Sequence, residues 1–291
     1  MACQKSERVK LQQVKAEPVL KNISELPIGV FDSGIGGLTV AAALHRRLPG
    51  EDIIYLGDTA RVPYGTKSDQ MVRRYAIECA LFMLNQGVKL IVVACNTATA
   101  VALPHLRELL RVPMIGVVEP GVEAALKQTG SGRIGVIGTP STIASGAYQS
   151  RLRELAPAAD VYGQACPLLV PLTEEGRLEG AIVDMVLKDY LSGMRQKNVE
   201  ALILGCTHYP LLKPAIARFM GAGVELVDSA EATAHAVEDA LLREGLLRTH
   251  GRGRVKCYVT DVPRQFNRLA KLFFGEKVSA IKTKVHLQAL D

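Results

Sequence analysis

Two cysteines stand where a chain could do chemistry. Cys95 closes the apolar run in LIVVACNTAT, and Cys206 closes the one in ALILGCTHYP. Each thiol is followed by small polar side chains, Asn96 and Thr97 after the first, Thr207 and His208 after the second. Four or five aliphatic residues that stop at a polar group read as a central strand of a parallel sheet and its carboxyl edge. Open α/β sheets bind ligands at that edge. The two stretches therefore predict two thiols facing one pocket from two similar halves.

Different chemistries make different demands on such a pair. A metal centre needs three or four ligands, and the first half has no histidine beside Cys95. A dithiol redox pair normally has close spacing, whereas these cysteines lie 111 residues apart. Covalent thiol catalysis needs a single nucleophile. Inverting a carbon centre by proton transfer needs one base on each face. A free thiol has a pKa of about 8.5, so one cysteine can serve as thiolate base and the other as thiol acid. Proton transfer fits best. His208 stands two residues from Cys206, and beside a strand-end thiol it can exchange a proton with sulfur or with a ligand ammonium. Neither a metal, a nucleotide nor pyridoxal phosphate is expected.

Other polar residues collect at the predicted strand ends. FDSGIGGLT offers Asp32 and Ser33 before a glycine turn leading into a helix, whose free N–H groups can hold an anion. The dinucleotide spacing G-x-G-x-x-G is absent, as is a phosphate-loop lysine. A small carboxylate is the better guess. GDTARVPYG offers Asp58 and a turn through Pro63, Tyr64 and Gly65. In the second half, IGVIGTPST offers Thr139, Ser141 and Thr142, and VPLTEEG offers Glu174 and Glu175. A carboxylate in such a position is most often a cap or a solvated charge.

The elements that must carry these residues alternate between strand-like and helical patterns, the signature of a parallel α/β fold. Strand-like runs begin at residues 28, 53, 90 and 114, and a second series begins at 134, 161, 201 and 224. The steps are 25, 37 and 24 residues, then 27, 40 and 23, so the chain reads as an internal duplication. Cys95 and Cys206 fall at the same station, the end of the third strand of each half. The expected architecture is two similar parallel-sheet domains related by a pseudo-twofold axis, with the site in the cleft between them. Residues 27–119 plus 229–291 are assigned to the first domain and 120–228 to the second. Residues 1–26 read as an N-terminal extension. The tail after Val227 has no counterpart in the first half. It carries a helix beginning near Asp228 and Ser229, a strand in GRGRVKCYVTD and an amphipathic helix in VPRQFNRLAKLFFG.

The bulk properties agree. With 291 residues, 48% hydrophobic and 5% aromatic, the chain has the makings of a sizeable aliphatic core. A net charge of +6 comes without dense basic clusters, so neither nucleic acid nor a membrane is an expected partner. No apolar run approaches the ~20 residues of a membrane span, and the N-terminal residues are polar, so a cytoplasmic protein is expected. In that compartment the six cysteines, Cys3, Cys79, Cys95, Cys166, Cys206 and Cys257, are expected as thiols.

FDSGIGG, GDTARVPYG, ACNTAT, VPLTEEG and GCTHYP, in this order, closely resemble the glutamate racemases, cofactor-independent members of the aspartate/glutamate racemase superfamily. The resemblance spans about Ile28 to Ser229. It implies interconversion of L- and D-glutamate, which supplies D-glutamate for peptidoglycan. It assigns Cys95 and Cys206 as the proton donor and acceptor pair, with Asp32 near Cys95, and Glu174 and His208 assisting Cys206. It carries substrate contacts to Asp32, Ser33, Tyr64, Gly65, Asn96, Thr97, Thr207 and His208, and more weakly to Thr139 and Thr142. It further implies a homodimer and, because some relatives with N-terminal extensions answer to a cell-wall precursor, an activator site on the extension. The competing readings are racemisation of another acidic amino acid such as aspartate, a non-catalytic binding protein, and a redox enzyme with a Cys95–Cys206 disulfide.

Overall fold

The structure, a computed structural model, describes residues 22–262, 264 and 266–285. The proposed activator site and nearly all of the N-terminal extension lie outside those residues. Residues Ile23–Glu25 form a short turn on the body of the fold, where the Ser24 carbonyl accepts from Lys89 Nζ at 2.6 Å.

Among the described residues, ten strands form two wholly parallel sheets. In chain order they are β1 (Ile28–Asp32), β2 (Ile53–Gly57), β3 (Leu90–Val93), β4 (Met114–Gly116), β5 (Arg133–Gly138), β6 (Asp160–Ala165), β7 (Ala201–Gly205), β8 (Glu225–Asp228), β9 (Val255–Val259) and β10 (Ala280–Lys282). The first sheet runs β10-β9-β2-β1-β3-β4 and the second β6-β5-β7-β8. The order 2-1-3-4 of the first half recurs as 6-5-7-8 in the second. The eight strand starts read from the sequence agree with these to within one residue. The duplication is therefore one of topology as well as spacing.

Both faces of each sheet are covered, which is why the central strands are continuously apolar rather than alternating. Along β1, Ile28 and Val30 join one buried cluster and Phe31 the other. Along β2, Ile53 and Tyr55 are separated from Ile54 and Leu56 in the same way. β5 and β7 divide likewise, with Ile134, Val136, Ala201 and Ile203 on one face and Ile137, Leu202 and Leu204 on the other. Even a detail of close packing repeats. A Cβ on Gly29 in β1 would come within 3.0 Å of Met83 Sδ, and one on Gly135 in β5 would come within 3.0 Å of Met194 Sδ.

The tail adds to the first sheet. β9 pairs with β2 and β10 with β9, extending the sheet at the edge away from β3. The helix Ser229–Arg243, capped by Asp228 Oδ1 accepting from Ala230 N at 2.9 Å, packs on the helix Leu38–Arg47. The helix Phe266–Phe274 buries Phe266, Leu269, Ala270, Phe273 and Phe274 against the same layer. At the opposite, amino end of the sheet, Lys89 and Glu51 form a buried ion pair at 2.6 Å, and Lys89 Nζ also donates to the Leu246 carbonyl. Among the described residues no helix is long and apolar enough to cross a membrane.

Candidate active site

The two thiols meet at one cavity of about 140 Å³. Cys95 follows β3 and is the N-cap of the helix Asn96–Leu109, its Sγ accepting from Ala98 N at 3.4 Å. Cys206 follows β7 at the matching place. Both are free and nearly buried, with 5% and 7% exposure. Ser33, Tyr64, Gly65, Asn96, Thr97, Thr207, His208 and Glu174 line the same cavity, as does Thr139. Residues separated by up to 175 positions are thus gathered because every one of them lies in a segment that leaves the carboxyl end of a strand.

Asp32 is placed differently. It is fully buried at the end of β1 and is absent from the cavity lining. Its Oδ2 accepts from Gly34 N at 2.9 Å and Gly37 N at 3.0 Å, so the carboxylate ties down the glycine turn. Its Oδ1 takes no hydrogen bond from the described residues. Burial raises the Asp32 pKa, against the opposing pull of His208 and the turn N–H groups. The Asp32 charge acts in turn on Cys95. Burial pushes the Cys95 thiol up to about 12, Asp32 adds to the rise, and the Ala98 N–H and Ser33 hydroxyl oppose it. A helix N-terminus ordinarily lowers a cysteine pKa. Here desolvation wins, and Cys95 rests as a thiol.

On the other side, His208 bridges Cys206 and a carboxylate. Nδ1 lies 3.8 Å from Cys206 Sγ, and Nε2 lies 3.1 Å from Glu174 Oε1. Burial would push the imidazole down. The hydrogen bonds to Cys206 and Glu174 together outweigh it and lift the pKa to about 10. The ring is therefore charged at neutral pH and sits against the second sulfur. One thiol is faced by a buried carboxyl, the other by an imidazolium.

Apart from the His208 imidazolium the cavity's polar wall is uncharged on the donor side, since none of the lining residues is Lys or Arg. Asn96 and Thr97 form the first turn of their helix, where N–H groups point outward. Thr97, Thr139 and Thr142 join hydroxyls at 3.0 to 3.1 Å, bridging the two halves. Asn96 Oδ1 accepts from the buried Tyr148 hydroxyl at 2.6 Å, a second bridge. Tyr64 lines the cavity while its hydroxyl is turned to Asp58 Oδ2 at 2.5 Å. Thr142 is fully buried and outside the lining.

Sequence reasoning missed the apolar part of the wall, Val62, Pro140, Pro167, Val170 and Pro171. No local signal marks these residues, because their place over the cavity depends on how the segments after β2, β5 and β6 pack across the halves.

Paired parallel α/β halves with a strand-end thiol from each, sharing a small cavity with a histidine and its carboxylate partner, define a two-domain α/β protein with a cleft of small-molecule size. Residues 36–237 match the Asp/Glu/Hydantoin racemase family model. The chain belongs to that family. It is 53% identical over 264 residues to the glutamate racemase of Thermus thermophilus, covering 91% of this chain and 98% of that one. To the glutamate racemase of Geobacter metallireducens it is 49% identical over 255 residues, covering 87% and 94%. It superposes on the glutamate racemase of Francisella tularensis in complex with D-glutamate with a TM-score of 0.85 and 41% identity, covering 91% and 99%.

Proposed function

We propose that the protein is a glutamate racemase that works by two-base proton transfer between Cys95 and Cys206, without a cofactor. The observation that carries this reading is the shared cavity, to which equivalent strands of the duplicated halves each deliver one thiol. In the proposed complex, glutamate's carboxylates lie against the N–H groups and hydroxyls around Ser33, Gly65, Asn96, Thr97 and Thr207, which fix Cα between the sulfurs. Cys206 as thiolate removes the α-proton on one face, with its former proton held by the His208–Glu174 pair. Cys95 returns its own proton to the opposite face and is left as thiolate. The reverse sequence converts the other enantiomer. With no electron sink in the site, the carbanion depends on the dry cavity and on hydrogen bonds to the α-carboxylate. We extend the reading to the supply of D-glutamate for peptidoglycan in the cytoplasm by a homodimer; sedimentation as a monomer at micromolar concentration would remove the last element.

Following α-proton exchange in D₂O with each enantiomer, in the wild type, Cys95→Ser and Cys206→Ser, tests the assignment. Each variant should lose racemisation, by a factor on the order of 10² or more, and any surviving exchange should favour opposite enantiomers. Near wild-type racemisation by both variants would make the thiols packing residues.

A further inference from the structure

The duplication leaves one element unexplained, the C-terminal tail, which has no partner in the second half. Its helix Phe266–Phe274 reaches from the layer covering the first sheet to His208, which belongs to the second. The Phe273 ring stands against the imidazole, centroids 5.1 Å apart and planes at 77°. From the same helix, Arg268 Nη2 donates to the Glu174 carbonyl at 2.7 Å. Opposing contact comes from the glycine turn after β1. A Cβ on Gly36 would lie 2.5 Å from His208 Cε1, 2.5 Å from Nδ1 and 2.5 Å from Thr207 Oγ1.

His208 is therefore held by groups of two origins. Cys206 and Glu174, from its own half, bond its two nitrogens. Gly36 and Phe273, from the other half, confine the ring. The matching acid on the Cys95 side needs no such socket, because Asp32 is fixed within its own turn by Gly34 and Gly37. The local contacts of the imidazole, Thr207 Oγ1 at 3.4 Å and Cys206 Sγ at 3.8 Å from Nδ1, are longer than the two bonds that fix Asp32. We propose that Phe273, backed by Gly36, is a positioning residue for His208, so that this helix of the unduplicated tail serves the Cys206 side of the site. The inference rests on the two-thiol reading above.

The test uses the symmetry of the reaction. A racemase has an equilibrium constant of one, so kcat/KM must fall equally for both enantiomers whichever side is damaged. The side shows instead in isotope effects. Weakening one base makes its proton transfer more rate-limiting. The α-deuterium isotope effect then rises in the direction where that base abstracts, and falls in the other. For Phe273→Ala, kcat/KM should fall roughly ten- to a hundredfold, as expected of a displaced acid–base group. Its α-deuterium effect should rise for the enantiomer that Cys206 deprotonates. Phe273→Leu, which keeps apolar volume without the ring, should shift the isotope effects in the same sense.

Phe274→Ala is the control, a buried phenylalanine of the same helix that stacks on His45 instead, with centroids 6.1 Å apart. It should lower the melting temperature and leave both isotope effects at wild-type values. The inference is overturned if Phe273→Ala and Phe273→Leu shift isotope effects no more than Phe274→Ala, or shift them equally in both directions. If Cys95→Ser and Cys206→Ser also racemise normally, the two-thiol reading falls with it. If those two are inactive, only the role of Phe273 is lost.

Discussion

At the scale of single residues, the site's two sulfurs are made unlike by their neighbours. Burial beside the Asp32 carboxyl holds Cys95 protonated, while His208 places positive charge against Cys206. This has a consequence for stability. The folded Cys95 keeps its proton until about pH 12, whereas in the unfolded chain a thiol loses it near 8.5. Above that lower value the folded state binds more protons than the unfolded one, so stability falls as pH rises. The contribution is fully present below about pH 8.5 and lost as the pH climbs through about 12, at about 1.4 kcal/mol per unit. Serine does not titrate in this range. The melting-temperature advantage of wild type over Cys95→Ser should therefore shrink steadily between pH 8 and 10.5; a constant difference would contradict the buried-thiol assignment.

At the scale of elements, the turn after β2 shows how a cavity wall is held from behind. Asp58, fully buried, accepts from Tyr64 Oη, from Arg61 Nε at 2.7 Å and from Thr260 Oγ1 at 2.9 Å. Arg61 continues to Glu78, so the strap runs from β9 through Asp58 to a helix of the first half. The turn Val62–Thr66 lies over the cavity while its anchor lies outside it. Removing the phenolic hydroxyl with Tyr64→Phe deletes one hydrogen bond to a charged acceptor, a loss of about 1.5–3 kcal/mol. Asp58→Asn should disturb all three contacts and cost more. In both variants KM for glutamate should rise more than kcat falls, since in the proposed complex the turn positions substrate and carries no proton. A fall in kcat with KM unchanged would instead implicate the turn in the transition state.

At the scale of the whole molecule, the polar ends of the six-stranded sheet do separate jobs. The carboxyl end carries the Cys95 thiol, hydroxyls and the N–H groups of a helix start. The amino end is closed by the buried Lys89–Glu51 pair, which links the Ile23–Glu25 turn, the start of β3 and the segment around Leu246 and Arg248. Lys89→Met would leave the Glu51 carboxylate buried without its counter-charge, a change worth about 3–5 kcal/mol. Denaturant unfolding should show a loss of that size, with racemisation at moderate temperature close to wild type. A loss below about 1 kcal/mol would mean that water or Arg248 relieves Glu51 when Lys89 is gone.

What the linear chain determined by itself was everything that repeats or is local. Aliphatic runs of four or five residues mark central strands because both sheet faces are covered, and their spacing revealed a duplication that the strand orders reproduce. A thiol, an amide or a hydroxyl ending such a run must emerge at the carboxyl edge, so Cys95, Asn96, Thr97, Cys206, Thr207 and His208 were legible as a set. The tertiary structure decided what depends on contact between distant segments. It turned Asp32 inward to its own glycine turn, tied the Tyr64 hydroxyl to Asp58, and brought Val62, Pro167, Val170 and Pro171 over the cavity. It also set Phe273 on His208, across 65 residues of chain. Apolar patterning specifies that a side chain be buried. Which neighbour it is buried against is settled only when the two halves and the tail close on one another.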